Sequence, residues 1–252
     1  MALLCVDRVT RSFGGLEALK EVSFSLQERQ IKALIGPNGA GKTTMFNLIA
    51  GSDRPTSGRI LFRDSDITGR RAHQVCRLGV GRTFQHSLVF NDMSVLDNVR
   101  VGRYTKTRSG ILPAVLRLPR YRKEERAVTV AAEHALRRAG LETKAAEPAG
   151  NLPLGERHLL EIARALAAEP SVLLLDEPAA GLNDEETDRL AGIVRQIRAE
   201  GVTILLVEHD MGFVMDLSDE VVVLDYGRKI AEGPPLMIQN DEQVIKAYLG
   251  ED

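Results

Sequence analysis

The chain has 252 residues, 44% of them apolar and 27% charged, with a formal net charge of −2. This length and balance fit one large α/β domain, or one domain carrying an inserted subdomain; they exclude a disordered chain and show no overall bias toward nucleic acid. Two cysteines, Cys5 and Cys76, supply neither a disulfide framework nor a metal cluster and read as small buried apolar groups in a reducing compartment.

In chain order, segments 3–9 and 22–26 read as short strands on either side of a Gly14-Gly15 turn. Residues 31–35 form a compact apolar strand that runs into a Gly-rich loop and then a helix from about Lys42. A strand at 59–62, a short helix at 71–79 and extended chain at 80–84 follow. From 86 to 165 the β-branched runs vanish and helical patterns dominate, notably at 94–102 and 122–139. Residues 70–126 carry 13 Lys or Arg against four acids, which reads as a helical insertion with a basic solvated face; the alternative is a face toward anionic headgroups or the loops of a membrane partner. The stretch 105–120 reads as a flexible loop.

Alternation then resumes. A buried strand at 172–176 precedes a helix at 184–200 that Asn183 caps and Gly201 ends. A strand at 202–207, a short helix at 211–217, a strand at 220–224, a turn at Gly227 into 228–231 and a terminal helix at 241–248 complete the chain. Near-continuous apolar strands alternating with helices indicate a mostly parallel sheet buried on both faces. No apolar run approaches the ~20 residues of a membrane-spanning helix. The N-terminal stretch meets Asp7 and has no basic segment, unlike a secretion signal.

Residues 36–44 read Gly36, Pro37, Asn38, Gly39, Ala40, Gly41, Lys42, Thr43, Thr44. A glycine, four residues and then Gly-Lys-Thr is the phosphate-binding loop pattern, and it lies between an apolar strand and a helix, as that reading requires. Glycines let backbone N–H groups curl around phosphate oxygens, and the helix N-terminus adds partial positive charge. Lys42 supplies a full charge to the outer phosphates, and the Thr43 hydroxyl is placed to ligate Mg2+. Asp176, at the end of a buried strand, offers a second magnesium contact, directly or through water. Glu177, immediately after it, is the candidate to polarise an attacking water. ATP and Mg2+ are the expected ligands.

With these residues in place the chain resembles the ATP-binding cassette (ABC) family over nearly its whole length. Phe13 stands where the family keeps an aromatic that stacks on adenine. Gln85, in Arg82-Thr83-Phe84-Gln85, matches the glutamine that links magnesium and the attacking water to the helical subdomain. Leu152-Pro153-Leu154-Gly155-Glu156 occupies the signature position, Ala180-Gly181-Leu182-Asn183 the loop after the Asp-Glu pair, and His209 the switch histidine that contacts the γ-phosphate. The resemblance implies a P-loop NTPase of RecA-like α/β fold with an N-terminal antiparallel β subdomain and an inserted α-helical subdomain. The expected boundaries are 1–85 and 166–252 for the core and 86–165 for the insertion. It also implies that Gly155 and Glu156 of one cassette meet the nucleotide of another, and that Glu177, His209 and Gln85 serve hydrolysis.

The signature departs from the common Leu-Ser-Gly-Gly-Gln. Pro153 replaces the serine and brings neither a hydroxyl nor a backbone N–H. A weakened contact to a partner's γ-phosphate, and an asymmetric pairing with a second, different ATPase subunit, follow as expectations. Arg82 to His86, Met93 to Val99, Glu208 to Met211 and the C-terminal Val244 to Gly250 further resemble the ATPases of branched-chain and hydrophobic amino acid importers; those carrying urea or short amides share much of the pattern. The resemblance implies permease subunits, an indirect link to a solute-binding protein, no nucleic-acid partner, and a peripheral place on the cytoplasmic face of the membrane. A groove beside Gln85, lined by Leu88, Val89, Phe90 and Met93, is the expected docking place for a permease helix. The competing reading is a soluble cassette ATPase acting as an assembly switch.

Overall fold

The computed structural model describes residues 2–83, 89–107 and 119–249. Two sheets form its frame. The first is antiparallel with strand order β2-β1-β4-β5: β1 (Ala2–Phe13), β2 (Leu16–Gln27), β4 (Ser57–Phe62) and β5 (Ser65–Asp66). The second has the order β10-β9-β3-β8-β7-β6: β3 (Ile31–Ile35), β6 (Val80–Arg82), β7 (Val172–Asp176), β8 (Thr203–Val207), β9 (Glu220–Asp225) and β10 (Arg228–Gly233). It is parallel from β9 through β6, and β10 pairs antiparallel with β9.

Every residue of β3, β7 and β8 is buried. The period-2 alternation of a strand sends neighbouring residues to opposite faces. Leu34, Leu174, Leu205 and Val207 pack toward the antiparallel sheet and α1 (Lys42–Ile49), beside Met45 and Phe46. Ile31, Leu173, Leu175, Ile204 and Leu206 pack on the helical side. There α3 (Val95–Arg103), α4 (Pro119–Arg138) and α5 (Leu154–Leu166) contribute Val95, Val99, Ala132, Leu136, Leu159 and Leu160. Lys32, on β3, is a cation buried among these apolar residues. Its ammonium is held by Glu232 at 2.6 Å and Glu220 at 2.8 Å, so the charge enters the sheet already paired.

The remaining helices are α2 (Ala72–Leu78), α6 (Asp184–Ala199), α7 (Met211–Leu217), α8 (Pro235–Gln239) and α9 (Glu242–Leu249). Asn183 caps α6 as its position predicts: its side chain accepts from Glu186 N at 2.9 Å, and the Glu186 carboxylate returns to Asn183 N at 3.2 Å.

Two expectations change. The first hairpin is far longer than 3–9 and 22–26, because cross-strand pairing carries the polar stretch from Arg8 to Glu21 in extended form although its apolar pattern fades there. The helix expected at 122–139 spans Pro119–Arg138 within the described residues, so it takes in the end of the stretch expected to be a loop. The loop expected at 105–120 and the extended residue Phe84 fall largely or wholly outside the described residues. No described helix is long and apolar enough to cross a membrane. Part of the basic surface is neutralised internally: Arg100 pairs with Asp97 and Glu125, and Arg103 with Glu169.

Candidate nucleotide site

In a parallel sheet, ligands bind outside the carboxyl ends of the strands. Here three adjacent strands, β3, β8 and β7, end in the residues that matter. Leu34 pairs with Val207 and Val207 with Asp176. The loop after β3, Glu208 and His209 after β8, and Glu177 after β7 are therefore neighbours by register, although they lie far apart in sequence. Asn38 to Thr44, Ala18, Glu177 and His209 line one cleft of about 230 Å³.

The loop depends on its glycines. Gly36 has φ +148, and a Cβ there would sit 2.0 Å from the Leu224 carbonyl oxygen. Gly41 has φ +103, and its Cβ would meet the Ala18 carbonyl at 2.6 Å. No L-residue fits either place. Lys42 folds back over the loop and donates to the carbonyls of Gly36 at 2.7 Å and Pro37 at 3.0 Å. Burial pulls the Lys42 pKa down, and the Glu177 and Asp176 carboxylates oppose that pull. Thr43 is exposed and Thr44 half-buried, both on the first turn of α1.

Asp176 is 2% exposed. Its Oδ2 accepts from Arg82 at 2.9 Å, and its backbone N–H donates to Thr83 Oγ1 at 3.2 Å. Its Oδ1 is buried with no hydrogen-bond partner among the described residues. Burial raises its pKa, with the Arg82 hydrogen bond and charge acting in the opposite sense. A buried carboxylate oxygen without a partner fits a magnesium ion that takes carboxylate, hydroxyl, phosphate oxygens and water as ligands. Asp176 and Thr43 would hold it. Gln85, also expected to serve the metal and the water, lies outside the described residues.

Glu177 adopts φ +49, a left-handed conformation unusual for a non-glycine residue. Its backbone N–H is anchored to the Val207 carbonyl at 2.9 Å, and Oε1 lies 2.8 Å from His209 Nε2. An ionised carboxylate only accepts, so in this pair Nε2 carries the hydrogen. Glu208, to which the sequence reading assigned no role, is the brace behind the pair. It is buried, and its Oε1 accepts from Ala179 N at 2.7 Å while Oε2 accepts from His209 N at 2.9 Å. Burial raises its pKa against those backbone donors. Arg82 was likewise unassigned. It spans Asn47 Oδ1 at 2.7 Å and Asp176 Oδ2, so α1 and the end of β7 share one cation.

The signature residues stand elsewhere. Pro153 is the N-terminal cap of α5, with φ −62 and ψ 164 and no side-chain capping bond. Gly155 and Glu156 line a separate cleft with Pro153, Leu182 and Glu186. Lys144 donates to both oxygens of Glu156, at 2.5 and 2.7 Å. Phe13, at the tip of the first hairpin, is 47% exposed.

Fold and site together define a P-loop ATPase cassette. Residues 19–180 match the family described as ABC transporter, and residues 228–252 match the family described as branched-chain amino acid ATP-binding cassette transporter. The chain is 43% identical over 250 residues to the high-affinity branched-chain amino acid transport ATP-binding proteins LivG of Salmonella typhimurium and Escherichia coli. It is 42% identical to BraF of Pseudomonas aeruginosa. In each case 99% of this chain and 98% of the relative are covered. Among solved structures, a nucleotide-free ATP-binding cassette from an ABC transporter superposes with a TM-score of 0.88 at 31% identity. The ADP conformation of such a cassette superposes with 0.88 at 32%. Both cover the whole of each chain. The chain belongs to the ABC transporter ATP-binding protein family, within its branched-chain amino acid group.

Proposed function

We propose that this chain is the ATP-hydrolysing subunit of an importer for branched-chain or hydrophobic amino acids, working on the cytoplasmic face of the membrane with permease subunits and a second ATPase subunit. The observation that carries the hydrolytic reading is the Glu177–His209 contact at 2.8 Å, set in the same cleft as Lys42 and Thr43. Triphosphate enters over the loop 36–44. Its oxygens take the place of the Gly36 and Pro37 carbonyls as acceptors for Lys42, and the N-terminus of α1 faces the same charge. A magnesium ion at Thr43 and Asp176 would neutralise the charge that develops on the transferred phosphoryl group. Glu177 accepts a hydrogen bond from the attacking water and takes its proton. His209 holds that carboxylate in place and reaches the γ-phosphate.

The partner's nucleotide meets the other cleft, where the N-terminus of α5 and Gly155 are presented. Glu156 arrives already neutralised by Lys144, which removes a like-charge clash with phosphate. Docking to the permease falls to Phe90. The residue is 49% exposed, while its backbone is fixed on both sides by the wholly buried Asn98: Phe90 N donates to Oδ1 at 2.9 Å and Nδ2 donates to Phe90 O at 3.0 Å. Val89, next to it, packs on the helical core.

Gentle solubilisation of membranes and affinity purification tests the assembly. Multi-spanning subunits should co-purify, and Phe90→Asp should lose them while keeping ATP binding. Proteoliposomes rebuilt from the complex should then take up leucine, isoleucine or valine only with internal ATP. Purification free of membrane subunits, or ATP-dependent uptake of urea instead, would replace the proposal.

A further inference from the structure

Arg11 and Phe13 lie two residues apart on β1, near the tip of the long hairpin. The Arg11 guanidinium sits over the Phe13 ring, its central carbon 4.2 Å from the ring centroid. Asp53 fixes it there with two contacts, Nε to Oδ2 at 2.9 Å and a terminal nitrogen to Oδ1 at 2.8 Å. Such a two-pronged pair sets the plane of the guanidinium as well as its position.

Asp53 is not a free surface residue. It follows α1, and its N–H bonds the Asn47 carbonyl at 3.2 Å, as the Ser52 N–H does at 2.9 Å. The hairpin tip is stitched to the same segment, with Thr56 N to Thr10 O at 2.8 Å and Ser12 N to Thr56 Oγ1 at 3.0 Å. The Asn47 side chain in turn accepts from Arg82, the partner of Asp176. A continuous path therefore runs from the Phe13 ring through Arg11, Asp53 and Asn47 to the P-loop helix and the proposed magnesium carboxylate.

We propose that Arg11, clamped by Asp53, is a positioning residue that holds the Phe13 ring as a preformed platform for the adenine base. The proposal rests on the reading that Phe13 stacks on that base. One ring face is covered by a cation and the other is left for the nucleotide. The cation draws on the π cloud of the covered face and so lowers the repulsion that a second π face would meet. Referencing the platform to α1 fixes the distance between base and phosphates before ATP arrives, so little ordering remains to be done on binding.

The test compares ATP with inorganic tripolyphosphate, which has the phosphates and no base, on the full-length chain. Phe13→Ala should raise the ATP Kd roughly tenfold and leave tripolyphosphate unchanged. Arg11→Met should raise the ATP Kd about 3- to 10-fold, again without effect on tripolyphosphate or on Tm. The double variant should bind ATP no more weakly than Phe13→Ala alone, since Arg11 acts through the ring. Asp53→Asn should give a smaller loss in the same direction. Unchanged ATP affinity in Arg11→Met, with Phe13→Ala still impaired, would overturn the positioning role and leave base stacking standing. Unchanged ATP affinity in Phe13→Ala would overturn both. Equal weakening of ATP and tripolyphosphate by Arg11→Met would make Arg11 a phosphate contact, and tighter ATP binding would mean that it occupies the face the base needs.

Discussion

Arg82 offers the sharpest test of how the site is built. The Asp176 side chain is fully buried, and Arg82, only 10% exposed, is the partner that meets Oδ2 at 2.9 Å. Oδ1 has no partner among the described residues. Arg82→Met keeps most of the side-chain volume but leaves a buried carboxylate with both oxygens unmet. Breaking a buried pair in this way costs about 3–5 kcal/mol. At ~2–4 °C per kcal/mol for a chain of this size, Tm should fall by roughly 6–20 °C. Asn47, which loses its bond to the other arm of Arg82, is half-buried and regains water, so it adds little. The double variant Arg82→Met, Asp176→Leu carries no buried charge and should recover most of the loss. Urea unfolding followed by circular dichroism, without nucleotide, measures both. If Arg82→Met loses less than about 1 kcal/mol, or the double variant loses as much as the single, the pair is not the electrostatic support described here.

Glu177→Gln should lower phosphate release by about 10²- to 10⁴-fold while ATP binding is retained; near-normal turnover would take the base role away from Glu177. Pro153→Ser should raise the ATPase rate of the assembled complex, and an unchanged rate would mean that the missing hydroxyl is not what limits the partner's site. Glu232 yields a pH effect. Burial pushes its pKa up, but hydrogen bonds from Lys229 and Lys32 prevail and hold it below the ordinary 4.5. A depressed carboxylate stabilises the fold above its unfolded value, and that contribution is lost as pH falls below 4.5 through the folded value. Glu232→Gln should therefore cost about 1.5–3 kcal/mol at neutral pH and flatten the acid limb of the stability profile, both read from unfolding curves across pH.

The features legible in the sequence are those whose physics is local. A glycine pattern between a strand and a helix, a carboxylate pair ending an apolar run, and Asn183 three residues before Glu186 each announce themselves within ten residues. The site residues that escaped act across the chain. Nothing near Arg82 points to Asp176, because that pair exists only once β6 and β7 lie side by side in the parallel sheet, and nothing near Arg11 points to Asp53, because that pair exists only once the first hairpin packs against the chain after α1. Glu208 stands beside His209 in the sequence, but its work, fastening the chain after β7 to the chain after β8, uses backbone N–H groups that no side-chain pattern encodes. Asn98 was hidden for a similar reason, since a polar residue within a helix more often faces water than holds a loop.

The sheet order supplies the remaining step. The P-loop, the Asp-Glu pair and the histidine lie in the order loop, carboxylates, histidine along the chain, but their strands stand in the order β3, β8, β7. The histidine strand therefore separates the phosphate loop from Glu177. In the proposed roles, His209 is the group whose strand borders both, and a change felt at the γ-phosphate would reach Glu177 through the 2.8 Å contact. It would also reach the loop after Ala179 through Glu208, whose two oxygens accept from His209 N and Ala179 N at once. The same carboxylate that braces the hydrolytic pair thus ties it to the chain leading into Asn183 and α6, where the second cleft with Glu186 and Gly155 begins. Coupling between a bound nucleotide and the signature cleft would require no long path: Glu208 is one residue from His209 in the first cleft and two hydrogen bonds, through Ala179, from Leu182 in the second.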